Sequence, residues 1–415
     1  MRLNTQLDVD VVAVEAEDRV SVLLELTAPA GDAAAVRATS TVQVVLDRSG
    51  SMAGERLDAA LRALDALVVR LDPTDNFGLV CFDDEVQLAV PAGPLSDKAA
   101  VRALIASIGP GGMTNLSGGY LRGLQEVARV AGDGGGTLLL LSDGHANHGV
   151  TDHGALGGLA EQARAKAITT STVGLGLDYD EALLAAIARG GAGNAGFAED
   201  ADTAGRLVAE EVEGLLERVA QAASLVVRPT ADVDTVTLYN DLPAQPVEGG
   251  LMVELGDFHA GEERKLLLEL SVPAMPGLGL APVCELELRW TELPSLDSHT
   301  LTAPVYVNVV PGDQAAGRIP NPTVVTEKAF QEVQRAKREA ADSLRHGDAG
   351  AASARFMSAG ASVQAAFAAA PMPDELRDEL DLLSELRERA EHDDLRRTAK
   401  FTEADAHRKN RRRGR

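Results

Sequence analysis

The chain predicts an α/β fold: a doubly wound, mainly parallel sheet inserted in a β-sandwich, with an α-helical segment at the C-terminal end. Three patterns lead there. Between residues 41 and 221, apolar runs of strand length alternate with stretches whose apolar residues recur at helical spacing, which buries a parallel sheet between two helical layers. On both flanks of that segment, apolar residues alternate with a period of two and are broken by Gly and Pro, as in half-buried antiparallel strands. Beyond Thr326 the chain becomes rich in Ala, Glu, Arg and Leu at helical spacing.

The elements follow in order. Val20, Val22, Leu24 and Leu26 alternate near the start, but one strand pair cannot bury a face alone. Residues 1–38 are therefore expected to complete a sandwich with residues 222–312. There, Val236/Leu238, Leu251/Val253/Leu255, Leu266 to Val272, Cys284/Leu286/Leu288/Trp290 and Val305/Val307/Val309 alternate in the same way. The insert, 39–221, opens with a strand over 42–46. A helix over 55–71 follows, with Leu57, Leu61, Leu64, Leu67 and Leu71 on one face. Strands over 77–82 and 86–90 flank Asp83-Asp84-Glu85 as a hairpin tip. Ser96 is expected to cap a helix reaching Ile108. Then come a helix near 117–130, a strand over 137–142, a helix near 155–166, a strand over 168–174, the helical run 179–189 and a last helix from Asp202 to about Arg218. Residues 313–405 are expected to form a helical bundle or hairpin with helices near 327–346, 349–369 and 374–395. The first carries a narrow stripe of Phe330, Val333, Ala336, Ala340 and Leu344. Residues 406–415 read as a basic tail, since six of the last eight side chains are basic.

Composition narrows the functional classes. A length of 415 residues suggests two or three domains, and 45% hydrophobic with 25% charged residues is globular. Aromatics are only 3%, so Leu, Val and Ala must fill the cores. A net charge of −24 argues against a general nucleic-acid binder and for a self-repelling surface. Cys81 and Cys284 lie far apart in strand-like runs and read as buried thiols rather than a disulfide framework. The first residues hold no apolar core of signal-peptide length, and no run approaches the ~18 apolar residues of a membrane span. A cytoplasmic location is expected. Abundant Ala, Gly and Arg point to a GC-rich bacterial genome.

The chemistry concentrates at strand ends. The apolar run from Thr41 leads into Asp47-x-Ser49-x-Ser51, which sets one carboxylate and two hydroxyls at a sheet's carboxyl edge, where open α/β sheets bind ligands. Oxygen donors with few charges suit a hard divalent cation such as Mg²⁺. Downstream lie Gly111-Gly-Met-Thr114-Asn and Leu138-Leu-Leu-Leu-Ser-Asp143-Gly. Together these pieces resemble the von Willebrand factor A (VWA) domain with its metal-ion-dependent adhesion site. The run from Val173 to Leu184 is also similar to the later part of bacterial VWA domains, so the resemblance spans the whole insert.

The resemblance implies a Rossmann-like VWA fold and a metal site formed by Asp47, Ser49, Ser51, Thr114 and Asp143. It implies that Ser49 and Ser51 bind the cation directly, and Asp47 and Asp143 directly or through water. Thr114 would ride on a mobile loop freed by Gly109, Gly111 and Gly112. Mg²⁺ is the expected ion, with Mn²⁺ or Ca²⁺ as alternatives. The implied function is a non-enzymatic protein–protein interaction in which an exposed Asp or Glu of a partner protein completes the octahedron. An adaptor role for an AAA+ ATPase, as in some bacterial VWA proteins, is the alternative. A Mg²⁺-dependent hydrolase is the competing class; it would want a general base aimed at water or a second metal, and the motif holds neither.

Other motifs read more plainly. His145, His148 and His153 follow Asp143 in a loop without Cys, and solvated histidines are expected rather than a zinc site. Asp83-Asp84-Glu85 and Asp178-x-Asp180 read as solvated turns or helix caps, and Gly174-Leu-Gly and Gly134-Gly-Gly as turns. No Gly-Lys-Ser/Thr phosphate loop exists, so the chain is not expected to be an NTPase. A basic run this short at a terminus is expected to be incidental; it is the one segment suited to touch RNA, anionic lipid or an acidic surface, and nucleic-acid contact is not expected elsewhere.

Overall fold

The computed structural model describes residues 1–30, 39–143, 148–176, 180–198, 201–230, 233, 235–275, 277–368, 371–392 and 394–411. Strand Thr41–Asp47 is buried along its whole length, as expected of an apolar run without alternation that is covered on both faces. Among the described residues it belongs to a sheet of order Val86–Pro94, Asn76–Phe82, Thr41–Asp47, Gly136–Ser142, Ile168–Leu175, Ala192–Ala198. All neighbours are parallel except Val86–Pro94, which returns antiparallel along Asn76–Phe82. After Thr41–Asp47 the chain builds first on one side and then on the other. The strand order thus reverses between Thr41–Asp47 and Gly136–Ser142, the topological switch point where such sheets bind ligands.

Alternate residues of the central strand serve opposite layers. Val42, Val44 and Leu46 pack with Leu57, Leu64 and Leu67 of helix Glu55–Arg70 and with Leu71 just past its end, while Val45 packs with Tyr120 and Val127 of helix Leu116–Val130. Leu61 of the expected stripe is only half-buried. Two local readings need correction. The cap of helix Lys98–Ala106 is Asp97, not Ser96: its carboxylate accepts from the Ala100 N–H at 2.9 Å. Strand Ala192–Ala198 was not foreseen, because Ala-Gly-Asn-Ala-Gly-Phe-Ala has poor β propensity. It forms by pairing with Ile168–Leu175, and Gly193 is needed there, since a Cβ would lie 1.9 Å from the Thr170 carbonyl oxygen. Helix Leu395–Arg411 packs against this edge strand, so the edge is not left open.

The flanking strands make two facing sheets. Asp18–Thr27 pairs with Arg2–Leu7 on one side and with Glu263–Val272 on the other. Val11–Ala13 crosses to the second sheet beside Ser298–Val310. Val22, Leu24 and Leu26 share one core with Leu225, Phe258, Leu268 and Leu286, so residues before and after the α/β segment bury each other. This sandwich docks at the amino ends of the parallel strands. Gln221 Nε2 donates to the Asp133 carbonyl at 2.9 Å, and Asp257 accepts from Arg218 at 3.0 Å and from Thr169 at 3.3 Å. The carboxyl ends, with their candidate ligands, point away from it. Cys81 and Cys284 are buried and free, their thiols pushed up to about 12 chiefly by desolvation.

Helices Pro322–Arg345, Ala349–Ala366, Asp374–His392 and Leu395–Arg411 share a core that includes Phe330, Val333, Leu344, Phe356, Leu376 and Leu386. The fourth helix replaces the start of the expected tail, because its cations are paired. Lys409 lies 2.6 Å from Glu379 and 3.0 Å from Asp405, and Arg408 lies 3.1 Å from Asp405. Residues 412–415 of the expected tail are outside the described residues. Lys337 is fully buried and pairs with both Glu379 and Asp405. Lys337→Met takes the fully buried cation away from both carboxylates, leaving Glu379 to Lys409 and Asp405 to the more exposed Lys409 and Arg408, and is expected to destabilise the bundle by about 3–5 kcal/mol. Urea unfolding followed by helical circular dichroism checks this; an unshifted transition contradicts it. No helix among the described residues is long and apolar enough to cross a membrane.

Candidate metal centre

Strand Thr41–Asp47 delivers Asp47 to the carboxyl edge with its side chain fully buried. The chain then turns back through the single helical turn Gly50–Met52, anchored by the buried Met52, into helix Glu55–Arg70. Asp47 itself shapes that turn, because its Oδ1 accepts from the Ser49 N–H at 2.8 Å. Its Oδ2 accepts from the Ser142 hydroxyl at 2.6 Å, which ties it to the end of the neighbouring strand. Asp143 follows that strand and is also fully buried.

The three remaining oxygens form a chain. Ser49 Oγ lies 3.2 Å from Ser51 Oγ, and Ser51 Oγ donates to Asp143 Oδ1 at 2.9 Å. A cation held at about 2.1 Å by octahedral oxygens needs neighbouring ligands about 3.0 Å apart, so this spacing fits a Mg²⁺-sized ion. Burial is the largest cause that pushes the Asp47 carboxyl up to about 6; the Asp143 charge adds to it, while the bonds from Ser142 and Ser49 oppose it. Two buried carboxylates in contact through hydroxyls thus favour added positive charge.

Thr114 arrives on a separate loop and is buried. That loop is held by its backbone: Gly111 N–H donates to the Arg48 carbonyl at 2.6 Å, Gly50 N–H to Gly112 at 2.8 Å and Asn115 N–H to Asp83 at 2.7 Å. Gly111 and Gly112 permit close approach more than freedom to move. A Cβ at Gly111 would lie 1.8 Å from Asp83 Oδ2, and one at Gly112 would lie 2.0 Å from Asp84 Oδ1. The structure therefore brings Asp47, Ser49, Ser51 and Asp143 into one hydrogen-bonded cluster, with Thr114 on the loop stapled beside it.

Asp83 is a correction. The expected solvated turn is instead buried there, with Asp83 Oδ2 2.9 Å from Arg48 and Oδ1 accepting from the Glu85 N–H at 2.8 Å. It braces both ligand loops. Asp180 caps helix Glu181–Gly190 by accepting from Leu183 N–H at 3.0 Å, and pairs with exposed His153 at 3.0 Å. His148 is exposed; His145 and Asp178 lie outside the described residues. Among the described residues no group of three or more His, Cys, Asp or Glu side chains is placed to hold a metal ion. Sequence reading also missed Ser142 and Arg56. Arg56 Nη1 lies 2.7 Å from Asp143 Oδ2. Ser142 stands next to Asp143 and was legible in principle; Arg56, on a helix, carried no signal of its own.

An open, mainly parallel sheet with a carboxylate–hydroxyl cluster at its switch point defines a class of ligand-binding α/β domain. Residues 42–210 match the von Willebrand factor type A domain family. The protein sll0103 of Synechocystis sp. is 28% identical over 279 residues, covering 64% of this chain and 65% of its own length. The chain thus spans less than two thirds of that curated relative. A solved von Willebrand factor type A structure from Catenulispora acidiphila has a TM-score of 0.73 at 17% identity, over 92% of this chain and 89% of its own. The ArnB paralog VWA2 from Sulfolobus acidocaldarius has a TM-score of 0.68 at 15% identity, over 100% and 99%. At these identities the likeness is one of fold, and it extends over the sandwich and helical segment as well.

Proposed function

We propose that this protein is a non-enzymatic interaction module that holds a divalent cation through Asp47, Ser49, Ser51, Thr114 and Asp143, and engages an exposed Asp or Glu of a partner protein. Mg²⁺ is the favoured ion, with Mn²⁺ and Ca²⁺ as alternatives. The reading is carried by the 2.9 and 3.2 Å oxygen spacings among Ser49, Ser51 and Asp143 at the switch point. The Ser49 and Ser51 hydroxyls act as neutral ligands, which limits the surplus negative charge. Asp47 is held by Ser49 and Ser142, so its role is to orient the hydroxyl turn and balance charge. When bound, the cation supplies an open coordination position for the incoming carboxylate.

Hydrolysis is disfavoured by how the site carboxylates are occupied. Asp47 accepts from Ser49 and Ser142, and Asp143 from Ser51 and Arg56, which leaves neither poised as a general base. No observation favours an adaptor role toward an AAA+ ATPase over any other acidic partner.

Calorimetric titration of the EDTA-stripped protein with MgCl₂ and MnCl₂ tests the reading: one saturable site is expected, and no binding of either ion overturns it. Thr114→Ala separates its parts. With Thr114 joining the ion only once the partner carboxylate is bound, the variant is expected to leave metal affinity little changed while EDTA-sensitive capture of proteins from a bacterial lysate is lost. Equal loss of both would make Thr114 an ordinary ligand.

A further inference from the structure

We propose that Arg56 is a built-in counter-cation of this site, one that weakens divalent-ion binding and strengthens capture of a carboxylate. The inference rests on the metal-site reading above and deepens it. Arg56 is the second residue of helix Glu55–Arg70, directly after the turn that carries Ser49 and Ser51. Its Nη1 lies 2.7 Å from Asp143 Oδ2 and 3.5 Å from the Ser51 carbonyl oxygen. The Asp143 carboxylate is therefore divided: Oδ1 accepts from Ser51, at the hydroxyl chain, and Oδ2 is held by the guanidinium.

The guanidinium has a prepared seat. Gly176, just after strand Ile168–Leu175, has a φ of +80°, and its N–H donates to the Ala198 carbonyl at 2.8 Å. A Cβ on Gly176 would lie 2.7 Å from Arg56 Cζ and 2.8 Å from Nε and Nη2. The planar group thus lies against bare backbone, in space that any other residue would fill. Asp143 is fully buried while the Arg56 side chain keeps 35% of its exposure, so the cation beside it remains partly open to an arriving ligand.

Charge then decides the effect. Asp47 and Asp143 offer a divalent ion two negative charges, and Arg56 cancels one of them. The loaded site is left with one surplus positive charge instead of none. Repulsion between the guanidinium and the ion lowers metal affinity, and that surplus attracts an anionic side chain at a half-buried edge, where charges are screened less than on an open surface. A carboxylate brings the account to neutrality. A purely structural Arg–Asp pair would tie the helix to the strand end and leave neither affinity specially altered.

The test uses the full chain, stripped with EDTA, and titrates MnCl₂ by calorimetry. Arg56→Gln is expected to bind Mn²⁺ at least about tenfold tighter than the unchanged protein, and Arg56→Lys to stay near it. Gly176→Ala keeps the charge in the chain but denies the guanidinium its seat, and should also tighten Mn²⁺ binding. The second readout is broadening of the acetate methyl resonance by the Mn²⁺-loaded protein. At equal Mn²⁺ occupancy, Arg56→Gln should broaden it less. Equal or weaker Mn²⁺ binding by Arg56→Gln, beside normal binding by the unchanged protein, overturns this inference and leaves the metal site standing. Failure of every form to bind Mn²⁺ overturns both. Equal acetate broadening overturns the anion half.

Discussion

Ser49→Ala combined with Ser51→Ala is expected to abolish divalent-ion binding while the fold survives. The two hydroxyls are neutral, so their removal adds no buried charge and little empty volume. What is lost structurally is the Ser51–Asp143 hydrogen bond at 2.9 Å and the 3.2 Å contact between the hydroxyls. Each such bond contributes about 1 kcal/mol net, so the melting temperature of the metal-free protein should move by only a few degrees. The Ser49 N–H bond to Asp47 uses the backbone and remains, so the turn keeps its shape. Ion binding responds very differently. A Mg²⁺-sized ion requires near-octahedral oxygens and tolerates the loss of two protein ligands poorly. Calorimetry with MgCl₂ and MnCl₂ on the double variant checks this. Metal affinity equal to that of the unchanged protein would show that these hydroxyls are not ligands.

The second large effect is on stability. Asp47→Asn is expected to stabilise the metal-free fold by about 3 kcal/mol near pH 8, and by almost nothing below pH 4. Burial raises the Asp47 carboxyl from 3.8 to about 6, with repulsion from Asp143 adding to it. The folded chain therefore binds this proton more tightly than the unfolded chain. Below pH 4 both states hold the proton and no penalty exists. Between pH 4 and 6 the unfolded state ionises first and the penalty grows, and above pH 6 it is complete. A rise of about two units is worth about 3 kcal/mol. The amide can replace the carboxylate locally, since its oxygen still accepts from the Ser49 N–H and its NH₂ can donate to the Ser142 hydroxyl once that rotates. The same substitution should remove metal binding, because it deletes half of the site's negative charge. Urea titrations in EDTA at pH 4 and pH 8 decide the matter; an equal gain at both values would mean that burial of the charge is not the cause.

Much of the site was legible because it is local. Asp47, Ser49 and Ser51 lie within one turn, and the Ser-Asp pair at 142 and 143 ends another apolar strand. Less was legible where a residue's environment comes from a distant segment. Asp83 looks like a solvated turn residue until Arg48 and the loop at 111–115 close over it. The helical stretch past Leu395 reads as the approach to a basic tail until Glu379 and Asp405 neutralise Lys409. Strand Ala192–Ala198 has almost no strand signal because its small residues are chosen for close approach, which only its neighbours reveal.

The sequence by itself determined the alternation of strands and helices, the two-residue period of the flanking sheets and the oxygen-bearing residues at the strand ends. Those properties follow from residue type and spacing over a few turns, where the 3.6- and 2-residue periods speak directly. Only the tertiary structure decided which strand ends meet. Parallel pairing of Thr41–Asp47 with Gly136–Ser142 sets Asp47 against Ser142 and Asp143 against Ser51. It also decided that Arg56 turns onto Asp143 over Gly176, since a guanidinium's partner depends on long-range packing and charge that no local pattern encodes.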